Sequence, residues 1–322
     1  MKIKRLEGPS DTFDIRFPAG KRFDLVGFGT NSVDHVCVAP EYPAPGSKTR
    51  VLQYEMLPGG QVATAIAFLS EMGMKTKYVG KMGGDKLGQF CMKSFASGKV
   101  DTSSVRINKS VRNQYAFIVI DGNSGERTVL SGRDPGLDFR ESELDREVIC
   151  AGRMLHLDGY DSGSLRAAAW CQEAEIPVMI DLDTVVPNCR ELIGNIDFLI
   201  VSSNFPAEYT GIPDRVRAFE ALYRSYDGFL AVTLGASGAM TWIGDHCVTF
   251  PALKLDAVDT TGAGDVFHAG FIYGLLQNWP LERIMRFSNA AAGLSCLYLG
   301  ARSGIRPISE ILQHAETLRQ ED

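Results

Sequence analysis

Short, continuously apolar runs alternate with amphipathic stretches along most of the chain. The runs fall at 23–29, 76–80, 154–158, 178–183, 198–201 and 229–234, and helical patterns lie between them, near 62–72, 86–97, 165–174, 215–226 and 266–276. A strand apolar on both faces is covered on both faces. The alternation therefore predicts an α/β fold, a mostly parallel central sheet with helices on both sides. Ligands of such sheets gather at the carboxyl ends of the strands.

Two segments, about 36–56 and 112–130, break this rhythm. Both alternate apolar and polar residues without a crossover helix, which predicts extra strands beside the main sheet, either a small β layer or an edge hairpin. Residues 1–22 are polar and hold Pro9, Pro18 and Gly20, so they are expected to form an N-terminal extension, packed on or trailing from one domain over 23–322. No internal repeat or linker interrupts that domain.

With 45% hydrophobic residues in 322, the chain can bury a large core, and a net charge of −6 with scattered basic residues argues against a nucleic-acid or anionic-membrane partner. No run reaches transmembrane length and the first residues lack the apolar centre of a secretory signal. The seven cysteines show no CxxC pair or His-spaced ligand set, so reduced thiols in a cytoplasm are expected.

The segment that states a chemistry is Asp259-Thr260-Thr261-Gly262-Ala263-Gly264-Asp265, running directly into the apolar stretch from Val266 to Leu276. Glycines at a helix start let N–H groups turn inward where the macrodipole is positive, which makes an anion cradle. Asp265 then places a carboxylate beside the anion. Phosphoryl transfer to a hydroxyl needs that pairing: donors for the moving phosphoryl group and a base for the alcohol proton. A plain glycine turn with Asp265 as a helix-start carboxylate is the alternative. No Lys-Ser or Lys-Thr follows the glycines, so this is not a Walker A loop.

Three ordered motifs now resemble one family, the ribokinase-like (PfkB) carbohydrate kinases. They are the 259–265 signature with Ala269-Gly270 after it, Gly59-Gly60-Gln61 opening a helix, and Tyr78-Val79-Gly80-Lys81-Met82-Gly83-Gly84-Asp85-Lys86-Leu87-Gly88. The resemblance covers roughly 23–307. It implies a ribokinase-like fold in which the two irregular segments form a small β lid that often serves as a dimer contact, here a homodimer. It also implies ATP and Mg²⁺ as cofactors and a small sugar as substrate.

The resemblance makes Asp265 the catalytic base, with Gly262, Ala263 and Gly264 forming the anion hole. Asp34, Gly59, Gly60 and Gln61 would hold the sugar, with Thr64 where family members often carry Asn. Thr233, Gly235 and Gly238, which resemble a "TxGxxG" loop, and Asn289 would hold the nucleotide. A monovalent-cation loop would use backbone oxygens at Asp259 and Thr261, with 300–304 as its second half and K⁺ as the ion. The Asn-x-x-Glu motif is altered, with Ser202 and Phe205 at its positions, so no Mg²⁺ ligand carries over.

Asp158, Asp181 and Asp183 end strands on the ligand side and read mainly as helix caps. Arg112, Arg127 and Arg133 flank the second lid segment. Together with the Val-Phe-His extension and the 300–305 tail, which resemble the branch that includes sulfofructose kinases, they leave open a ketose or an anionic sugar. A nucleoside kinase, using Tyr54, Tyr115 and Phe117 as walls, and a non-catalytic sugar-binding regulator are the alternatives.

Overall fold

The fold, taken from a computed structural model, is described for residue 3 and residues 5–96 and 99–318. In its first half β1 (Phe23–Phe28), β2 (Ser32–Ala39) and β3 (Gln53–Gly59) lead into α1 (Gln61–Glu71). Then come β4 (Thr76–Val79), β5 (Lys81–Gly83), α2 (Lys86–Ser94), β6 (Arg106–Asn108), β7 (Tyr115–Asp121) and β8 (Arg127–Gly132). The second half holds α3 (Arg146–Ile149), β9 (Gly152–Leu157), α4 (Ser162–Glu173), β10 (Val178–Leu182), α5 (Cys189–Ile193), β11 (Phe198–Ser202), α6 (Phe205–Thr210) and α7 (Arg215–Ser225). It ends with β12 (Phe229–Thr233), β13 (Ala239–Ile243), β14 (His246–Phe250), α8 (Ala263–Leu276), α9 (Leu281–Ser295) and α10 (Ile308–Thr317).

The central sheet runs β14-β13-β12-β11-β10-β9-β1-β4. The six strands from β12 to β4 are parallel, whereas β13 and β14 add on antiparallel, an edge the apolar runs did not announce. Burial alternates along β13 and β14 is mostly exposed, and an edge pair so open to solvent carries no continuous apolar run. Alternate residues of each inner strand enter different cores. Leu25, Met154 and Ile200 join α1, α8 and α9 on one face; Val26, Leu155 and Val201 join α4, α5 and α7 on the other.

The 86–97 helix stops at Ser94, and its expected last residue, Ser97, lies outside the described residues. Asp85 caps its start by accepting from the Gly88 N–H.

The irregular segments form a second sheet, β3-β2-β7-β8, which starts at Ser32 rather than near residue 36. Its two faces differ. Val36, Ala116, Ile118 and Ile120 are buried in a small core with Leu57 and Leu299. On the other face the register lines up Met56, His35, Phe117 and Leu130 across four strands, and Met56, Phe117 and Leu130 are exposed.

The N-terminal extension packs on the domain. Ile3, Leu6 and Phe13 are buried in the α8–α9 core, Leu281 and Glu282 donate to the carbonyls of Asp11 and Pro9, and Phe13 packs edge-on against Phe198, Phe229 and Phe271. Phe13→Ala should therefore cost about 3–5 kcal/mol of stability, as for other buried aromatics. Chemical denaturation measures it, and a loss below about 1 kcal/mol would mean that the extension is only loosely held.

Candidate active site

The parallel strands end at one edge, and the segments that leave it supply the site. Gly262, at φ 77°, occupies a left-handed position just before α8, and a Cβ there would meet that of Ala301 at 2.3 Å. This turn points the helix start toward the strand ends. The Ala263 N–H bonds the Thr260 carbonyl and that of Val266 returns to Gly262. The N–H groups of Gly264 and Asp265 have no main-chain acceptor among the described residues, and a Cβ on Gly264 would face open space. The result is an anion cradle at a helix N-terminus.

Five aspartates line this edge and differ in the donors they receive. Asp158 accepts from the N–H and hydroxyl of Thr30 and from the Val62 N–H, so it caps α1 from outside that helix. Asp259 accepts from the N–H groups of Thr261 and Gly300, tying together the two loops expected to carry the cation site. Asp34 accepts from the Ser32 hydroxyl at 2.8 Å. Asp181 lies against His268, with Nε2 and Oδ1 3.4 Å apart. Asp265 receives no side-chain hydrogen bond from the described residues. Burial, aided by the charges of Asp158 and Asp34 and opposed by Arg302 and Arg127, raises its pKa to about 7. Burial also pushes Asp34 above the usual carboxylate range.

Asp34 is the third residue of β2, so it stands inside the second sheet rather than at the end of β1. The glycine pair explains how it fits. A Cβ on Gly59 would fall 1.9 Å from Asp34 Oδ2, and one on Gly60, at φ 91°, would meet Asn31 Cα at 2.7 Å. Both glycines are thus required by the packing of Asp34 and of the strand-end loop, apart from any approach of substrate. Gln61 is the first residue of α1, and Thr64, one turn on, is buried with its hydroxyl unpartnered.

Thr233 ends β12, and Gly235 and Gly238 take positive φ in the turn to β13. A Cβ on Gly238 would collide with the Phe250 carbonyl at 2.0 Å, whereas Gly235 faces open space. Asn289 is buried on α9, and its amide nitrogen donates to the carbonyls of Phe250 and Pro251. Its amide protons therefore brace the segment that leads to the cradle.

Arg302 escaped the motif reading, because its partners are distant in sequence. Its guanidinium donates to the Gly59 carbonyl at 2.6 Å, to Asn31 Oδ1 and to Ser94 Oγ, and lies over Phe95. Burial lowers its pKa to about 10, so it remains a cation, beneath the Gly59 turn and beside Asp34. From β8, Arg127 bonds the Thr260 hydroxyl, while Arg133 is engaged by Asp138 and Gln114. Tyr54, Tyr115 and Phe117 share the sheet face opposite to Asp34. Among the described residues no group of three His, Cys, Asp or Glu side chains is disposed to hold a metal ion.

The model of the pfkB family carbohydrate kinases matches residues 23–308. The ribokinase of Haemophilus influenzae is 26% identical over 305 residues, covering 92% of this chain and 99% of its own. Fructokinase-1 of Oryza sativa is 26% identical over 332 residues (93% and 99%), and a nucleoside kinase of Methanothermobacter thermautotrophicus 24% over 306 residues (90% and 94%). The fold matches a Thermotoga maritima 2-dehydro-3-deoxygluconokinase with a TM-score of 0.79 at 19% identity, covering 92% of this chain and all of the other. It also matches an Arabidopsis thaliana ribokinase complexed with ribose and ATP, with a TM-score of 0.74 at 22% identity over 91% and 99% of the chains. The chain belongs to the pfkB family of carbohydrate kinases.

Proposed function

We propose that this protein transfers the γ-phosphoryl group of ATP to a hydroxyl of a small sugar, with Asp265 as the base. The carrying observation is an undonated, half-buried carboxylate with a pKa near 7 beside free helix-start N–H groups. The sugar hydroxyl gives its proton to Asp265, its oxygen forms the new bond to phosphorus, and the bond to the ADP oxygen breaks. The N–H groups of the 262–265 turn stabilise charge on the moving phosphoryl group. Asp34 and the Gly59–Gln61 turn orient the sugar, and the turn at 233–238 lies along the nucleotide.

Mg²⁺ enters with ATP. With no group of three ligating side chains among the described residues, its ligands are mainly phosphate oxygens and water, in keeping with how this ion is usually bound next to nucleotides. The paired loops at Asp259–Thr261 and Gly300 are suited to hold K⁺ through carbonyl oxygens, since the Asp259 carboxylate is already occupied by N–H groups. The seven unpaired cysteines suit a reducing compartment such as the cytoplasm.

A sugar is favoured over a nucleoside, because the aromatic side chains that would wall a base lie on the lid face away from Asp34. Arg127 and Arg302 beside the site favour an anionic sugar within that class. The exposed row of Met56, Phe117 and Leu130 supports a homodimer formed through the lids.

ADP formation from Mg-ATP over a panel of ketoses, aldoses, sugar acids, sulfosugars and nucleosides, with and without K⁺, tests the reading. A sugar should turn over well above background, and Asp265→Asn should lower kcat by about a thousandfold or more with the sugar KM little changed. Turnover of nucleosides alone would overturn the sugar assignment. The acid limb of the kcat–pH profile should lie near 7, activity falling as the base is protonated below it, and a limb near 4 would contradict the assignment. Sedimentation should show a dimer that Phe117→Asp converts to monomer; an unchanged sedimentation coefficient would exclude the lid as the contact.

A further inference from the structure

Behind the base lies a buried polar group to which the phosphoryl-transfer step assigns no role. His268 follows Asp265 by three residues on α8 and meets Asp181 of β10, Nε2 to Oδ1 at 3.4 Å, with its ring 5.5 Å from that of His156 on β9. His156, His268 and Asp181 are 0, 2 and 8% exposed. His268 Nδ1 and Asp181 Oδ2 have no hydrogen-bond partner among the described residues.

The groups that face Asp181 are the carboxyls of Asp265 on α8, of Asp183 beyond β10 and of Asp158 after β9, the Gln61 amide on α1, and His268. No cation is among them. His268 does not become one near neutral pH, since burial and the neighbouring His156 hold its pKa well below the ordinary value. His156 is itself lowered to about 4 by burial. Arg302 is committed to Gly59, Asn31 and Ser94. Asp158 meets three donor groups in the same region, whereas Asp181 has a neutral imidazole and one amide. An ionised carboxyl so placed would be both desolvated and repelled.

We propose that Asp181 is a positioning residue that keeps a proton at neutral pH and shares it with His268, so that Asp265 is the member of the pair that ionises for catalysis. The inference rests on the reading of Asp265 as the base. A neutral Asp181 spares Asp265 a second adjacent charge, which would otherwise hold its proton at working pH. The 3.4 Å contact of the uncharged carboxyl with Nε2 also sets β10 against the second turn of α8 and so positions the helix that carries the base. Removing protons from the two carboxyls then takes two well-separated steps, and the acid limb of turnover reports the first.

Infrared spectroscopy of the full chain, ¹³C-labelled at aspartate, tests this at about pH 8, above the midpoint assigned to Asp265. The difference between wild type and Asp181→Asn should contain one protonated-carboxyl stretch, and its absence would overturn the proposal whether or not the protein phosphorylates anything. In kinetics, Asp181→Asn exchanges one neutral group for another, so the acid limb should stay within about 0.3 pH unit of wild type. Asp181→Ala removes the tie to His268 and should lower kcat about tenfold. A limb displaced downward by about one unit or more in Asp181→Asn would show that Asp181 had been charged. An infrared band together with a pH-independent kcat would support the proton on Asp181 while refuting Asp265 as the base.

Discussion

The site depends on how hydrogen-bond donors are divided among crowded carboxyl groups. Asp34, Asp158, Asp181, Asp259 and Asp265 converge on the carboxyl edge of one sheet, where burial disfavours every charge. Asp158 and Asp259 receive N–H and O–H donors and serve the backbone: one caps α1, the other joins the cradle loop to Gly300. Asp265 receives none from the described side chains and its pKa rises to about 7, while burial also raises that of Asp158 in spite of its donors. Carboxyls of the same edge thus differ in the N–H and O–H groups that the fold directs at each.

Backbone geometry makes this division possible. The positive φ at Gly262 turns the start of α8 toward the strands, and the missing Cβ of Gly59 admits the Asp34 carboxylate. Arg302 then adds a buried cation beneath the Gly59 turn, which moderates the proton affinities of Asp34 and Asp265 together. The second sheet contributes twice, through Asp34 and through Arg127 on the Thr260 hydroxyl, so this sheet and the cradle are linked electrostatically.

The parts of the site written in short range were legible in the sequence. A glycine turn leading into an apolar helix identifies the cradle and Asp265, because turn chemistry and helix starts are set by neighbouring residues. The parallel sheet was legible from its continuous apolar runs, but the half-exposed β13–β14 edge was not. Arg302 and the contact of Asp181 with His268 escaped for a different reason, and Asp181 was read mainly as a helix cap. Arg302 reaches Gly59 across 243 residues, and the Asp181–His268 contact joins a strand to a helix far along the chain. Asp158 was read as a cap and does cap a helix, though one whose N-terminus lies 96 residues earlier. Gly59 and Gly60 were read as holding the sugar, while their contacts give them a prior duty to Asp34 and Asn31.

Asp265 titrates near neutrality with no donor among the described side chains. Carbon-detected NMR of aspartate-labelled protein, with resonances assigned by single Asp→Asn variants, measures this directly and without substrate. The account predicts that the Asp265 carboxyl carbon titrates with a midpoint near 7. A midpoint close to the ordinary aspartate value of 3.8 would contradict it.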